Sequence, residues 1–319
     1  MAKPKVALYW TASCGGCDIA LLEIGIKILK LAEAVDIVFW PVAIDVKYKD
    51  VEAMPDKSID ACLFNGAIRN SEQEHMAKML REKSKIMIAF GSCAYEGGIP
   101  GLGNMFNRQK IFERAYLETE STDNKEQITP QTSCKVPEGE LTLPEFYDTV
   151  KTLHQTVDVD YVVPGCPPEE KTIWLALEAL IEGKLPPPGT VITHNVKAVC
   201  DECQRKRDVK KINKIYRTWE IIPEPEVCLL EQGLPCAGIS TRGGCGALCP
   251  LANMPCTGCY GPVEGVIDQG AHFLNALASV IDSNDPEEIQ KIVDDVLDPV
   301  GTFYRYSLPD SLLRRARIK

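Results

Sequence analysis

Short apolar runs rich in β-branched residues recur through the first half of the chain, at 6–10, 37–42, 61–64 and 86–90, with a fifth at 161–163. Between them, over 19–31, 72–81 and 143–153, apolar positions fall three or four residues apart, the period of a helix with one buried face. Strands alternating with helices predict an α/β fold, a doubly wound parallel sheet with helices on both faces. Residues 118–142, rich in Thr, Ser, Glu, Gln and Pro and without period, read as a long surface excursion. The alternation stops at Pro186-Pro187-Pro188-Gly189, which predicts an α/β domain over 1–188 and a second domain over 189–319. From 196 to 265 the chain is dense in Cys, Gly and Pro, so a conventional side-chain core is not expected and the segment reads as largely irregular. A last helix is predicted over 286–297, ahead of a mixed tail.

A length of 319 residues accommodates two domains, and 45% hydrophobic with 25% charged residues describes an ordinary folded protein. The net charge of -10 opposes the broad basic face that binding to a phosphate backbone requires, which argues against a nucleic acid partner. No apolar run reaches the roughly 18 residues of a membrane span. The longest candidate, 173–181, is interrupted by Glu178. Met1-Ala2-Lys3-Pro4-Lys5 passes into the first strand without the stages of a signal peptide, so a cytoplasmic protein is expected. There the fourteen cysteines are not expected to form disulfides, and metal or redox chemistry is the natural alternative.

In a doubly wound sheet, ligands bind where loops converge at the carboxyl ends of the strands. Cys14 and Cys17, in Thr11-Ala12-Ser13-Cys14-Gly15-Gly16-Cys17, directly follow the first predicted strand. Cys93 follows the fourth in Gly91-Ser92-Cys93-Ala94, and Cys166 the fifth in Pro164-Gly165-Cys166-Pro167-Pro168. Cys14 and Cys17 alone suit a redox pair or half a zinc site as well as a cluster. Four thiolates converging from three strand ends suit a 4Fe-4S cube, and the glycines let backbone amides approach its sulfides.

The combination of Cys14-x-x-Cys17, Gly91-Ser92-Cys93-Ala94-x-x-Gly97-Gly98 and Pro164-Gly165-Cys166-Pro167-Pro168 resembles the flavodoxin-like domain of NiFe hydrogenase small subunits. The resemblance implies that Cys14, Cys17, Cys93 and Cys166 bind a proximal 4Fe-4S cluster. A related subunit of complex I shares this half of the pattern but ends soon after it. Here eight more cysteines follow. The resemblance implies a distal cluster on Cys200, Cys203, Cys228 and Cys236, with Cys200 where many periplasmic members carry His. It implies a medial cluster on Cys245, Cys249, Cys256 and Cys259, the last two in Pro255-Cys256-Thr257-Gly258-Cys259, with Cys249 a thiol that high-potential members lack. The added thiolates make both sites more negative, which lowers their potentials. Exchange of Cys236, Cys245 and Cys249 between the two sets stays open at this level, as does a pair of zinc ribbons.

The all-cysteine second domain and the closing Asp298-Pro299-Val300-Gly301-Thr302-Phe303-Tyr304 are similar to the archaeal deazaflavin-non-reducing, viologen-reducing group. That implies a NiFe large subunit, a small iron-sulfur acceptor subunit and heterodisulfide reductase subunits as partners, in methanogenesis. The deazaflavin-reducing sister enzyme has a similar small subunit, and a free-standing multi-cluster carrier is the reading from another class. NiFe chemistry needs an Asp-Pro-Cys-x-x-Cys element in the large subunit. Leu297-Asp298-Pro299-Val300 offers no cysteine, so an electron-transfer role without catalytic residues of its own is expected for this chain.

Other residues read as structural. Cys62 sits inside a predicted strand, with a substitute-ligand role as the lesser option, and Cys134 lies in the polar excursion. His75, His154, His194 and His272 share no ligand spacing, and Gly98, Gly101 and Gly103 follow a cluster cysteine, not a nucleotide-binding turn. Arg205-Lys206-Arg207 with Lys210 and Lys211 reads as a solvated face.

Overall fold

The computed structural model describes residues 3–208 and 211–313. Met1, Ala2 and Lys210, named above, lie outside the described residues. The strands are β1 (Lys5–Trp10), β2 (Asp36–Phe39), β3 (Ile59–Asn65), β4 (Ile68–Asn70), β5 (Ser84–Phe90), β6 (Ser133–Val136), β7 (Gly139–Thr142), β8 (Phe146–Lys151) and β9 (Tyr161–Val163). The helices are α1 (Gly16–Leu22), α2 (Lys27–Ala34), α3 (Tyr48–Glu52), α4 (Ser71–Lys83), α5 (Ser92–Glu96), α6 (Arg108–Tyr116), α7 (Glu170–Ile181), α8 (Leu248–Leu251), α9 (Gln269–Ala278), α10 (Pro286–Asp294) and α11 (Pro299–Phe303).

Five strands form a parallel sheet in the order β2-β1-β3-β5-β9. Side chains alternate across it, so each strand feeds two cores. Val6, Leu8, Leu63 and Ile88 face α1, α2 and α7 through Leu21, Leu31, Ile173 and Leu177. Ala7, Tyr9, Cys62, Phe64 and Met87 face α3 and α4 through Val51, Met76 and Leu80. Burying one such leucine or isoleucine fully contributes about 1.5–3 kcal/mol, and here both faces are covered. Past β9 the chain stays on the sheet: Gly189 N–H donates to the Asp160 carbonyl at 2.7 Å and Ile192 N–H to that of Val162 at 2.8 Å.

Three sequence expectations change. The helix expected over 19–31 is two helices, broken at Gly25, whose φ of +64° lies in the left-handed region. The helix expected over 143–153 is instead strand β8, paired antiparallel with β4. Phe146 packs against Phe112 and beneath the Arg69 guanidinium while Val150 is buried, so tertiary pairing overrides a weak helical period. The excursion carries a hairpin of β6 and β7.

The second half does contain a small apolar core, in which Ile212, Ile215, Phe273, Leu277, Ile292 and Phe303 gather where α9, α10 and α11 meet. Asp285 caps α10 and Asp298 caps α11, each with proline at the start of the helix. The tail returns to the sheet domain, where Pro309 lies so close to Gly97 and Gly101 that a Cβ on either would come within 2.3 and 2.5 Å of its ring. Among the described residues no helix is long and apolar enough to cross a membrane.

Candidate cluster sites

The first thiol group is assembled by backbone at three strand ends. Beyond β1 the Thr11 hydroxyl donates to the carbonyls of Asn65 and Ala67, at 3.1 and 2.9 Å, which ties the Cys14 loop to the end of β3. Asp18, 7% exposed, accepts from Trp40 Nε1 at 2.8 Å and Asn65 Nδ2 at 2.7 Å and so fixes α1 beneath Cys17. Gly91 N–H donates to the Val163 carbonyl and Ser92 N–H to that of Gly165, joining the Cys93 and Cys166 loops.

Glycines leave the space in which these thiols sit. At Gly91, φ +87°, a Cβ would lie 2.3 Å from Cys17 Sγ, and at Gly98, φ +57°, a Cβ would lie 2.5 Å from Cys93 Sγ. Gly98→Ala is therefore expected to displace Cys93 and lower the iron content of the purified protein by about a third. Iron analysis beside the unaltered protein checks this, and full iron retention would count against the packing described.

Three of these thiols are held back from ionising, and their neighbours contribute. Burial pushes Cys93 up to about 12, with the charges of Cys166 and Cys14 adding to it. Burial raises Cys17 strongly, with Cys93, Cys166 and Cys14 adding, and raises Cys166, with Cys14 adding. Thiols that resist ionising together suit a site where a bound cation displaces their protons.

Cys200, Cys203, Cys228 and Cys236 line one cavity in the second half, together with Arg205 and Arg207. Lys206 N–H donates to the Glu226 carbonyl and Cys228 N–H to that of Lys206, at 2.7 and 2.8 Å, which brings the Cys228 loop across. Burial raises Cys200 to about 12, assisted by Cys236 and opposed by Arg207. Burial lifts Cys236 to about 11, opposed by the backbone amides of Gly238 and Cys256.

The remaining set is held by a carboxylate. Glu202 accepts from Gly244 N–H at 2.6 Å and Gly246 N–H at 2.9 Å, so it clasps the loop that presents Cys245. Cys249 is exposed on α8. Burial raises Cys259 to about 12, with Cys245, Cys166 and Cys249 as the neighbouring charges. Cys256 is raised by burial, then by Cys236 and Cys259.

These relations link the sets. The Ser92 hydroxyl donates to the Cys259 carbonyl, and Cys259 lies in electrostatic reach of Cys166. At the other side Cys256 N–H donates to Cys236 Sγ at 3.3 Å. Among the described residues no three His, Cys, Asp or Glu side chains converge tightly enough to hold a single metal ion.

Residues outside the three cysteine sets divide differently. Cys62 is fully buried on the sheet face opposite Cys17, close to Ser84 and Arg81, and so away from the first thiol group. Cys134 is exposed in β6. His75 meets Glu52, His154 meets Asp310 and His194 meets the Lys171 carbonyl, all apart from the thiols. Arg205 corrects the expectation of a solvated basic face. It is 9% exposed and donates to the carbonyls of Pro250, Glu224 and Val227 and to Asn253 Oδ1, lacing the Cys203, Cys228 and Cys249 loops together. Lys206 and Lys211 do face solvent, paired with Glu226 and Asp282.

Residues 14–180 match the family described as NADH ubiquinone oxidoreductase, 20 Kd subunit. Over 324 aligned residues the chain is 45% identical to the iron-sulfur subunit of the F420-non-reducing hydrogenase of Archaeoglobus profundus, covering 99% of both. The chain belongs to the small iron-sulfur subunits of the F420-non-reducing NiFe hydrogenases. Another member of this family, from the vhu F420-non-reducing hydrogenase of Methanocaldococcus jannaschii, is 39% identical, with 98% of this chain and 97% of that one covered. The family's fold extends to the NiFeSe hydrogenase of Desulfovibrio vulgaris Hildenborough, whose solved structure gives a TM-score of 0.52 at 18% identity over 83% of this chain and 95% of that one. The matched family region contains Cys14, Cys17, Cys93 and Cys166, while the full-length relatives also span the eight later cysteines.

Proposed function

We propose that this subunit relays electrons from hydrogen oxidation on a NiFe large subunit through three 4Fe-4S clusters to a downstream iron-sulfur and flavin acceptor. The observation that carries this reading is the continuity of the thiols: Cys259 beside Cys166 at one junction, and Cys256 N–H on Cys236 Sγ at the other. Each cube, when bound, supplies a one-electron redox centre whose potential its surroundings tune. The chain's own residues fix where those centres sit, bury them and set their charge.

In this reading electrons enter at Cys14, Cys17, Cys93 and Cys166 and pass the medial set, Cys245, Cys249, Cys256 and Cys259. They leave from the distal set, Cys200, Cys203, Cys228 and Cys236. The sheet domain of 1–188 carries the first set, and the cysteine-rich domain of 189–319 carries the other two. The curated relatives' designation as F420-non-reducing favours a small iron-sulfur acceptor subunit and heterodisulfide reductase as the next carriers, in the cytoplasm, over direct deazaflavin reduction.

Anaerobic purification of the assembly tests this. A nickel-containing subunit is expected to co-purify, and hydrogen is expected to reduce viologen but not the deazaflavin. A free-standing chain without nickel would overturn the relay. Within it, Cys249→Pro is expected to convert the medial cube to a 3Fe-4S centre with its own EPR signal. An unchanged spectrum would remove Cys249 from the ligand set.

A further inference from the structure

Two charged side chains three positions apart flank Cys203, and each is held by neutral partners. The Glu202 carboxylate takes hydrogen bonds from Gly244 N–H, Gly246 N–H and Asn195 Nδ2, the last at 2.9 Å. All three donors are uncharged, so its negative charge remains beside Cys245. The Arg205 guanidinium meets three carbonyls and one side-chain amide oxygen, so its positive charge remains as well. Arg205 and Arg207 both line the cavity of Cys200, Cys203, Cys228 and Cys236, and Arg207 acts directly on Cys200. Around Cys245 the charged neighbours are Glu202 and Cys249, and around Cys259 they are other thiols, while the cavity at Cys256 sets Arg217 and Arg305 against Asp295 and Asp298.

Backbone amides do not create this difference. Ala247 and Leu248 serve Cys245 while Gly238 and Cys256 serve Cys236, so both sets receive them. The asymmetry lies in the side-chain charges, and cluster potential falls as local negative charge rises.

We propose that Glu202 and the Arg205–Arg207 pair build a potential step into the second domain, holding the medial cluster more reducing than the distal one so that electrons run outward. This rests on the three-cluster reading above. Glu202 is a positioning residue that acts through the Cys245 loop and through its charge.

The test is an EPR-monitored redox titration of the anaerobically purified complex, with the medial signal identified by its loss in Cys249→Pro. In the unaltered complex the medial midpoint lies below the distal one. Glu202→Gln keeps one acceptor oxygen but removes the charge. It is expected to raise the reduced-to-oxidised ratio of the medial centre about tenfold at a fixed potential, which is about 59 mV for one electron. Glu202→Asp should leave that midpoint near the unaltered value, and Arg207→Gln should lower the distal midpoint.

A medial midpoint above the distal one, or a medial centre unmoved in Glu202→Gln with full iron content, overturns the proposal. If Glu202→Gln sheds medial iron, the exposed Arg207 decides: a distal midpoint unmoved in Arg207→Gln overturns the proposal, and a lowered one supports it. Fewer than three cubes in the unaltered complex would instead count against the relay itself.

Discussion

Cys93→Ser is expected to cost the protein about four irons and to lower hydrogen-dependent viologen reduction on the order of a hundredfold or more. Cys93 is 6% exposed, wedged between the Gly91–Gly98 turn and the Cys17 and Cys166 thiols. A serine oxygen is a harder, poorer ligand for iron, and no spare thiol is close, because Cys62 lies on the other sheet face. Activity should split in a telling way. Hydrogen–deuterium exchange, which needs only the nickel-bearing partner, is expected to persist while viologen reduction is lost. Equal loss of both would mean that Cys93 supports assembly of the complex more than conduction.

Arg205→Ala is the second large effect, and it falls on a residue outside every thiol set. Truncation strips a charged donor from the carbonyls of Pro250, Glu224 and Val227, which keep only the neutral donors Asn253 N–H and Gln232 Nε2, and from Asn253 Oδ1. A hydrogen bond to a charged group contributes about 1.5–3 kcal/mol, so losing this set is expected to remove about 2–4 kcal/mol and the distal iron with it. Arg205→Lys should recover little, since a single ammonium cannot span acceptors that the planar guanidinium reaches from three nitrogens. Thermal unfolding of the loaded protein, followed together with iron content, checks both variants. A melting temperature within a degree of the unaltered protein would show that the lacing is dispensable.

Much of the first site was legible because its position follows from topology. A thiol directly after a parallel strand must lie at the strand's carboxyl end, and β1, β5 and β9 deliver Cys14, Cys17, Cys93 and Cys166 there whatever the detail of the loops. Periodicity served the buried strands equally well, since 61–64 and 86–90 fall inside β3 and β5.

It failed where backbone pairing outweighed local preference. Residues 143–153 carry apolar positions at helical spacing, yet Pro144, the Phe146–Phe112 contact and pairing with β4 make 146–151 a strand. Gly25 ended a helix that its neighbours would have continued.

In the second domain the thiols were legible in the sequence and the scaffold was not. The family resemblance implied how the thiols group, but a run of Arg205, Lys206 and Arg207 looks like a solvated face in any linear reading. Only the path of the 224–227 and 250–253 loops reveals that the first of the three is interior. Glu202 escaped for the same reason, because its two glycine amides lie more than forty residues away in sequence. A signal did exist: a Glu and an Arg stand within and just after Cys200-x-x-Cys203, in a segment short of apolar residues, where a charged side chain has few places to go but the thiol loops.

Iron and acid-labile sulfide, counted by metal analysis with Mössbauer spectroscopy on the complex purified without air, bear most directly on whether these thiols hold a three-cluster wire. About twelve irons per copy of this subunit, all in cubane environments, is the expected result. A folded, colourless subunit that carries zinc or no metal on its cysteines would contradict it.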